Sequence, residues 1–196
     1  MTSKTKLIFA THNQNKAAEI QELLSNNFEV LTLNQLGYFN EIVEDAATLE
    51  GNASIKSKTV FHKFGLAVFA DDTGLEVPAL NNEPGVYSAR YAGEQKNSND
   101  NMNLLLTKLK GKQNRSANFR TVISFIWKGE EHLFEGRVDG QISETKSGTA
   151  GFGYDPIFIP DGFTISFAEM AKEDKNSISH RGQAIAKMVA FLEKQD

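Results

Sequence analysis

The sequence predicts an α/β fold built on a mixed sheet flanked by helices, in two lobes with a cleft between them. Three observations carry that prediction. Strand and helix patterns alternate at both ends of the chain, and a hairpin pattern fills the middle. No repeat, low-complexity tract or flexible linker interrupts them. The third observation is length: 196 residues suffice for one sizeable α/β core or two closely joined lobes, read here as a single domain over 1–196.

Lys6–Thr11, KLIFAT, reads as a short buried strand. A polar turn follows, then a helix from about Lys16 with Ala17, Ile20, Leu23 and Leu24 on one face. Phe28–Leu33 is a second strand, which makes a βαβ unit. Residues from about Ala46 to Phe64 are expected to be helical despite Gly51, and Leu66–Ala70 is the next buried strand, ending at Asp71 and Asp72. Glu83–Gly93 reads as a loop from its Pro, Gly and Ser. Asn99–Lys110 is a short amphipathic helix. Phe119–Trp127 and His132–Ile142 form an antiparallel hairpin across KGEE. SGTAGFGYDPIF is a glycine-rich aromatic loop, and a last helix runs from about Ser179 with Ile185, Met188, Val189 and Leu192 at helical spacing.

Composition narrows the function. A 40% hydrophobic and 23% charged content is ordinary for a soluble globular protein. The net charge of −4 argues against a broad basic surface for nucleic acid, so phosphate binding needs a local cluster of Lys and Arg. There is no cysteine, which excludes disulfides, thiolate metal sites and a cysteine nucleophile. The apolar run near the N-terminus is too short for a signal-peptide core, and no run approaches the ~20 residues of a membrane span. A soluble cytoplasmic protein is expected, with neither membrane nor nucleic acid as partner.

Four stretches can carry chemistry. Thr11-His12-Asn13-Gln14-Asn15-Lys16 joins a buried strand to a helix, so its N–H groups and the positive helix end can hold an anion, with Lys16 adding charge. On local pattern alone, a capped helix start with a solvated Lys16 is the favoured reading. The glycines and Gly-Lys-Ser/Thr ending of a P-loop are missing. Asp71-Asp72-Thr73-Gly74 places two carboxylates at a strand end, where successive side chains diverge; one can hold the turn while the other binds Mg²⁺ or takes a proton from water. A plain Asx-turn is the alternative. The Asp-x-Asp spacing of an aspartyl phosphatase is absent.

In Gly148–Phe158 three glycines allow close backbone approach, Phe152 and Tyr154 offer faces for a base, and Asp155 can accept from a base edge. The same loop could simply tuck its aromatics into the core. Lys175 with Ser179-His180-Arg181 puts cationic groups at a helix start, where an anion would offset them. Glu44, in the acidic patch EIVEDA, reads as a solvated loop residue unless the fold sets it beside Asp72.

THNQNK, FADDTGL, PGVYSARYAG, SGTAGFGYDPIF and SHRGQA occur in this order. With them the chain resembles the Ham1-like purine nucleoside triphosphate pyrophosphatases, the inosine/xanthosine triphosphatases, from Leu7 to the last helix. The resemblance implies an elongated mixed sheet, a homodimer, and Mg²⁺-dependent attack of water on the α-phosphorus of ITP, dITP or XTP. It implies that Thr11, His12, Asn13, Gln14, Asn15 and Lys16 bind phosphate, and that Asp72 is base and metal ligand. Glu44 would be the second metal-site acid, and Lys56 and Thr73 would contact substrate. Phe152, Gly153, Tyr154 and Asp155 would bind the base, with Lys175, His180 and Arg181 completing the nucleotide contacts. Two departures stand out: Gly51-Asn52-Ala53 where many relatives have Glu-Asn-Ala, and Thr73 where many have Ser. A Maf-like pyrimidine triphosphate pyrophosphatase and a nucleotide sensor without turnover are the alternatives.

Overall fold

Alternation along two strands decides where the later chemistry sits. The structure, a computed structural model, describes residues 4–24 and 28–195; the first three residues of the N-terminal segment read above lie outside that range. Its elements are β1 (Thr5–Phe9), α1 (Gln14–Leu23), β2 (Phe28–Thr32), α2 (Leu49–Phe64), β3 (Val68–Val77) and β4 (Glu83–Gly85). Then come α3 (Ser98–Lys108), β5 (Ser116–Trp127), β6 (Glu130–Ile142), β7 (Phe158–Pro160), α4 (Lys172–Ile178) and α5 (His180–Leu192). The seven strands form one mixed sheet in the order β2-β1-β3-β5-β6-β7, with β4 pairing β3. β1 runs parallel to β2 and β3, whereas β4 is antiparallel to β3 and β7 to β6. The mixed α/β architecture expected from the sequence is therefore the observed one.

The chain divides into two compact units, one from residues 1–72, 121–136 and 182–196, the other from 73–120 and 137–181. In the first, odd-numbered Leu7, Phe9, Phe69, Ile123 and Phe125 pack with Ile20 of α1 and Ala184, Ile185 and Met188 of α5. Even-numbered Ile8, Ala10, Val68 and Ala70 pack on the other sheet face with Val60 of α2. Phe9 and Phe69 are register partners, and their rings stack 4.6 Å apart at 6°. Each such fully buried ring contributes roughly 1.5–3 kcal/mol. The second unit has its own core, in which Leu75 and Val77 meet Met102, Leu105 and Leu109 from α3 and around it, with Phe119, Phe158 and Phe167.

Local signals set the helix ends. The Asn13 side chain accepts the N–H groups of Asn15 and Lys16, so α1 begins at Gln14, two residues before the predicted start. Thr48 caps α2 by accepting the Gly51 N–H, and Gly65 ends that helix at φ 65°. Lys128 and Gly129, both at positive φ, link β5 and β6 as a two-residue hairpin turn requires.

Three expectations need correction. β3 does not end at the carboxylates but continues through Asp71, Asp72, Thr73 and Gly74 to Val77, because Leu75 and Val77 resume the buried alternation. Neither an Asx-turn nor a turn at Gly74 exists there. The stretch read as a loop over Glu83–Gly93 opens with β4, whose Glu83–Pro84 peptide is cis. Finally, α4 precedes the last helix, so Lys175 sits in the final turn of one helix while His180 and Arg181 open the next.

Candidate active site

Strand parity carries Asp71 and Asp72 to opposite sheet faces. Asp71 follows Phe69 toward α1, where Lys16 Nζ donates to its Oδ1 at 3.0 Å. Asp72 follows Val68 and Ala70 toward α2. There Asn52 Nδ2 donates to Asp72 Oδ2 at 3.2 Å, and Lys56 Nζ lies 3.5 Å from Oδ1. Asn52 and Lys56 are four residues apart on α2, so they share one helix face. Lys56 Nζ also donates to Glu44 Oε2 at 2.6 Å. The acidic patch is thus not merely solvated: one ammonium bridges Glu44 and Asp72. Lys16 is not solvated either, being half-buried against Asp71.

Attraction and like-charge repulsion meet in this cluster. Glu44, Asp71 and Asp72 bring three carboxylates against the ammonium groups of Lys16 and Lys56. Burial raises the affinity of Asp72 for its proton; Lys56 and Lys16 oppose the rise, and Glu44 and Asp71 reinforce it. Burial would lower Lys56, but attraction to Asp72, Glu44 and Asp71 outweighs it and the group titrates above its ordinary value. The two shifts therefore run the same way: attraction wins at the lysine, burial and like charge at the aspartate.

The Thr11–Lys16 turn is a capped helix start. Thr11 Oγ1 accepts the Asn13 N–H at 3.1 Å, and Asn13 Oδ1 accepts those of Asn15 and Lys16. His12, Asn13, Gln14 and Asn15 are exposed. The His12 ring is held by Asn34 Oδ1 and the Asn40 carbonyl, each 3.2 Å from a ring nitrogen.

The second unit gathers the other predicted residues. Asp155 Oδ2 accepts the Phe152 N–H at 2.7 Å and Lys175 Nζ at 2.9 Å. A Cβ on Gly151, at φ 74°, would meet that oxygen at 2.1 Å, so the loop requires glycine there. Lys175 Nζ and Arg181 Cζ lie 5.5 and 5.6 Å from the centre of the half-buried Phe152 ring. Arg181 also donates to Thr73 Oγ1 at 3.3 Å, and the His180 ring stacks on Phe119 at 4.6 Å. Gly153 adopts φ 65° beside Phe152. Two residues lie deeper than a ligand-facing loop alone requires. Tyr154 is buried, its hydroxyl donates to the Ser88 carbonyl at 2.9 Å, and burial pushes its ionisation upward. Asp155 is buried as well, and its Oδ2 accepts from the loop N–H and from Lys175.

Among the described residues no group of three or more His, Asp or Glu is placed to hold a metal by itself. Glu44 and Asp72 nonetheless suit a hard divalent cation such as Mg²⁺, which takes one or two protein carboxylates and fills its shell with phosphate and water. The sequence reading gave Asn52 no role, though it stands in Gly51-Asn52-Ala53, four residues before Lys56. It also missed the buried Ser57–Ser124 hydroxyl pair, 2.6 Å apart, and Glu131, which accepts from Ser124 at 2.8 Å and from Ser54.

Residues 7–191 match the Ham1 family. A dITP/XTP pyrophosphatase from Flavobacterium johnsoniae is 54% identical over 95% of this chain and 97% of its own. One from Bacillus subtilis is 43% identical over 95% and 96%. The solved structure of the Staphylococcus aureus Ham1 protein superposes with a TM-score of 0.89 at 40% identity, covering 98% of this chain and 100% of that one. The parallel βαβ start, the carboxylates within β3 and these near full-length likenesses agree: the chain belongs to the Ham1 family.

Proposed function

We propose that this protein is a Mg²⁺-dependent nucleoside triphosphate pyrophosphohydrolase. It converts the deaminated purine nucleotides ITP, dITP and XTP to monophosphate and pyrophosphate, and so sanitises the nucleotide pool. The observation that carries the reading is Asp72, fixed mid-strand between the amide of Asn52 and the ammonium that it shares with Glu44. The likeness to dITP/XTP pyrophosphatases supports the substrate class.

In this reading Asp72 takes the proton of an attacking water. The water oxygen forms the new bond to the α-phosphorus, the bond from that phosphorus to the bridging oxygen breaks, and pyrophosphate leaves with the electron pair. Lys16 and Lys56, with the N–H groups of the Thr11–Asn15 turn, hold the phosphates. When bound, Mg²⁺ neutralises phosphate charge and polarises the reacting centre, with Glu44 and Asp72 as its protein ligands. Phe152 stacks on the base. Arg181 and the backbone around Gly153 donate toward a 6-oxo group, and Thr73, Lys175 and His180 complete the nucleotide contacts. A 6-amino group would leave those donors unpaired, which is how such a site rejects adenine.

The same reading makes the protein a cytoplasmic homodimer that acts on free nucleotides rather than on nucleic acid or membranes. No helix among the described residues is long and apolar enough to cross a membrane. Initial rates on a panel of ITP, dITP, XTP, ATP, GTP, dTTP and UTP, with and without Mg²⁺, test the activity. Mg²⁺-dependent pyrophosphate release from ITP, dITP and XTP, and not from ATP, is expected; faster turnover of dTTP or UTP overturns the reading. Light scattering on the eluting protein tests the dimer.

A further inference from the structure

Asn52 is almost wholly buried in the first turns of α2, and its side-chain amide closes a ring of contacts. Its Oδ1 accepts the Ala46 N–H at 3.0 Å, and its Nδ2 donates to Asp72 Oδ2 at 3.2 Å. Asp72 Oδ1 faces Lys56 Nζ, and that ammonium donates to Glu44, two residues before Ala46. The ring runs from Asn52 through Asp72, Lys56 and Glu44 back to Ala46. A backbone N–H can only donate, so the amide oxygen must face Ala46 and the NH₂ must face Asp72. The amide orientation is thus dictated by chemistry, and one side chain ties the loop bearing Glu44 to the strand bearing Asp72.

We propose that Asn52 is a positioning residue for the hydrolytic reaction, holding the Asp72 carboxylate plane and the Glu44 loop in register without touching substrate. Each Asp72 oxygen receives one donor from α2, Oδ2 from Asn52 and Oδ1 from Lys56. That pair of donors fixes the rotation of the carboxylate about its side-chain bonds and leaves the remaining lone pairs at fixed directions. Small misplacements of a reacting group are costly in rate, so losing this restraint slows chemistry more than it weakens substrate binding. The inference rests on the activity proposed above, in which Asp72 is the base.

The test uses the full-length protein and dITP with Mg²⁺. Asn52→Ala is expected to lower kcat about tenfold or more, the scale of a hydrogen bond to a charged group, with KM changed less than about threefold. Asn52→Asp keeps the shape and the acceptor for Ala46 but sets a carboxylate against Asp72, and it lowers kcat further. It also serves if the alanine variant does not fold. Ser57→Ala is the structural control, because Ser57 lies buried on the same helix and bonds Ser124, not the Asp72 cluster. It should lower the denaturation midpoint and keep kcat.

A double-mutant cycle of Asn52→Ala and Asp72→Asn, read by urea unfolding without Mg²⁺ or nucleotide, measures the Asn52–Asp72 contact independently of turnover. Coupling between the two sites supports the proposal, and additivity overturns it. Full kcat in both Asn52 variants overturns it, as does an equal loss of kcat in Ser57→Ala. Absence of turnover in the wild-type protein overturns the proposed activity instead, and leaves the cycle to decide whether Asn52 restrains Asp72.

Discussion

The two compact units hold polar clusters of opposite character. In the first, three carboxylates share two ammonium groups, Glu44 keeps a third of its side-chain surface in solvent, and Asp72 holds its proton more tightly than usual. In the second, the buried Asp155 and Lys175 pair, walled by Phe152 and Phe167, and Asp155 also accepts the Phe152 N–H. The first arrangement sets like charges around shared cations, with Glu44 open to solvent, and suits groups that must exchange protons or receive a cation and phosphates. The second lies against aromatic rings and backbone and suits a loop that must keep one shape beneath its ligand. Charged residues read alike in a sequence, but burial and neighbours set them apart.

Asp72→Asn should give the largest effect, a loss of about 10²- to 10⁴-fold in kcat with KM nearly unchanged, measured by initial rates on dITP. The pH profile of stability reports the same group. Burial raises the folded-state affinity of Asp72 for its proton above the unfolded value, so the folded state binds the extra proton between the two pKa values and wild-type stability falls as pH rises through that window. Asp72→Asn in EDTA should lose this dependence and show a flatter stability profile across the window. A variant profile as steep as that of the wild type would take the titration away from Asp72.

Next in size, Lys175→Met leaves the Asp155 carboxylate buried without its ammonium and should cost about 3–5 kcal/mol in urea unfolding. A loss below about 1 kcal/mol would mean that the second cluster is as loose as the first. Phe152→Leu keeps bulk but removes the aromatic face, and should raise KM for dITP about tenfold while kcat holds. An unchanged KM would take the base away from this ring.

The smallest effect is expected at Glu131. Burial pushes its pKa up, but the donors Lys58, Ser54 and Ser124 outweigh that and hold it below the usual value. Its stabilisation is present above the unfolded pKa and fades as pH falls through the folded one. Glu131→Gln should cost under about 1 kcal/mol at pH 7 and nothing in acid, because its partner Lys58 is half exposed and solvent screens the pair. A pH-independent loss would assign the effect to packing instead.

Much of this was legible in the residues. β1, α1, α2, the β5–β6 hairpin and α5 carry strong periodicity, and all five stand where that period predicts, within a few residues at the ends. The short polar elements escaped, because the three residues of β4 and the seven of α4 are too few to show a period. β3 was cut short because carboxylates were taken to end a buried strand, whereas Lys16 and Lys56, 55 and 16 residues away in the chain, neutralise them in place. The placement of Tyr154 stayed open for a related reason. An aromatic in a glycine-rich loop can face either way, and its partner, the Ser88 carbonyl, lies 66 residues upstream. Long-range partners of that kind have no local signature.

The alternation of β3 has a consequence for how this gene can vary. Deleting or inserting one residue between Val68 and Asp72 would exchange the faces of the two aspartates, sending the carboxylate that meets α2 toward α1 and the other the opposite way. Point changes in this strand can be graded, but a single-codon indel is all-or-none, since no side-chain adjustment crosses a sheet. Exposed turns such as Lys128–Gly129 impose no comparable rule on the chemistry, so lineages of this protein should drift in length there and hold an invariant residue count through β3.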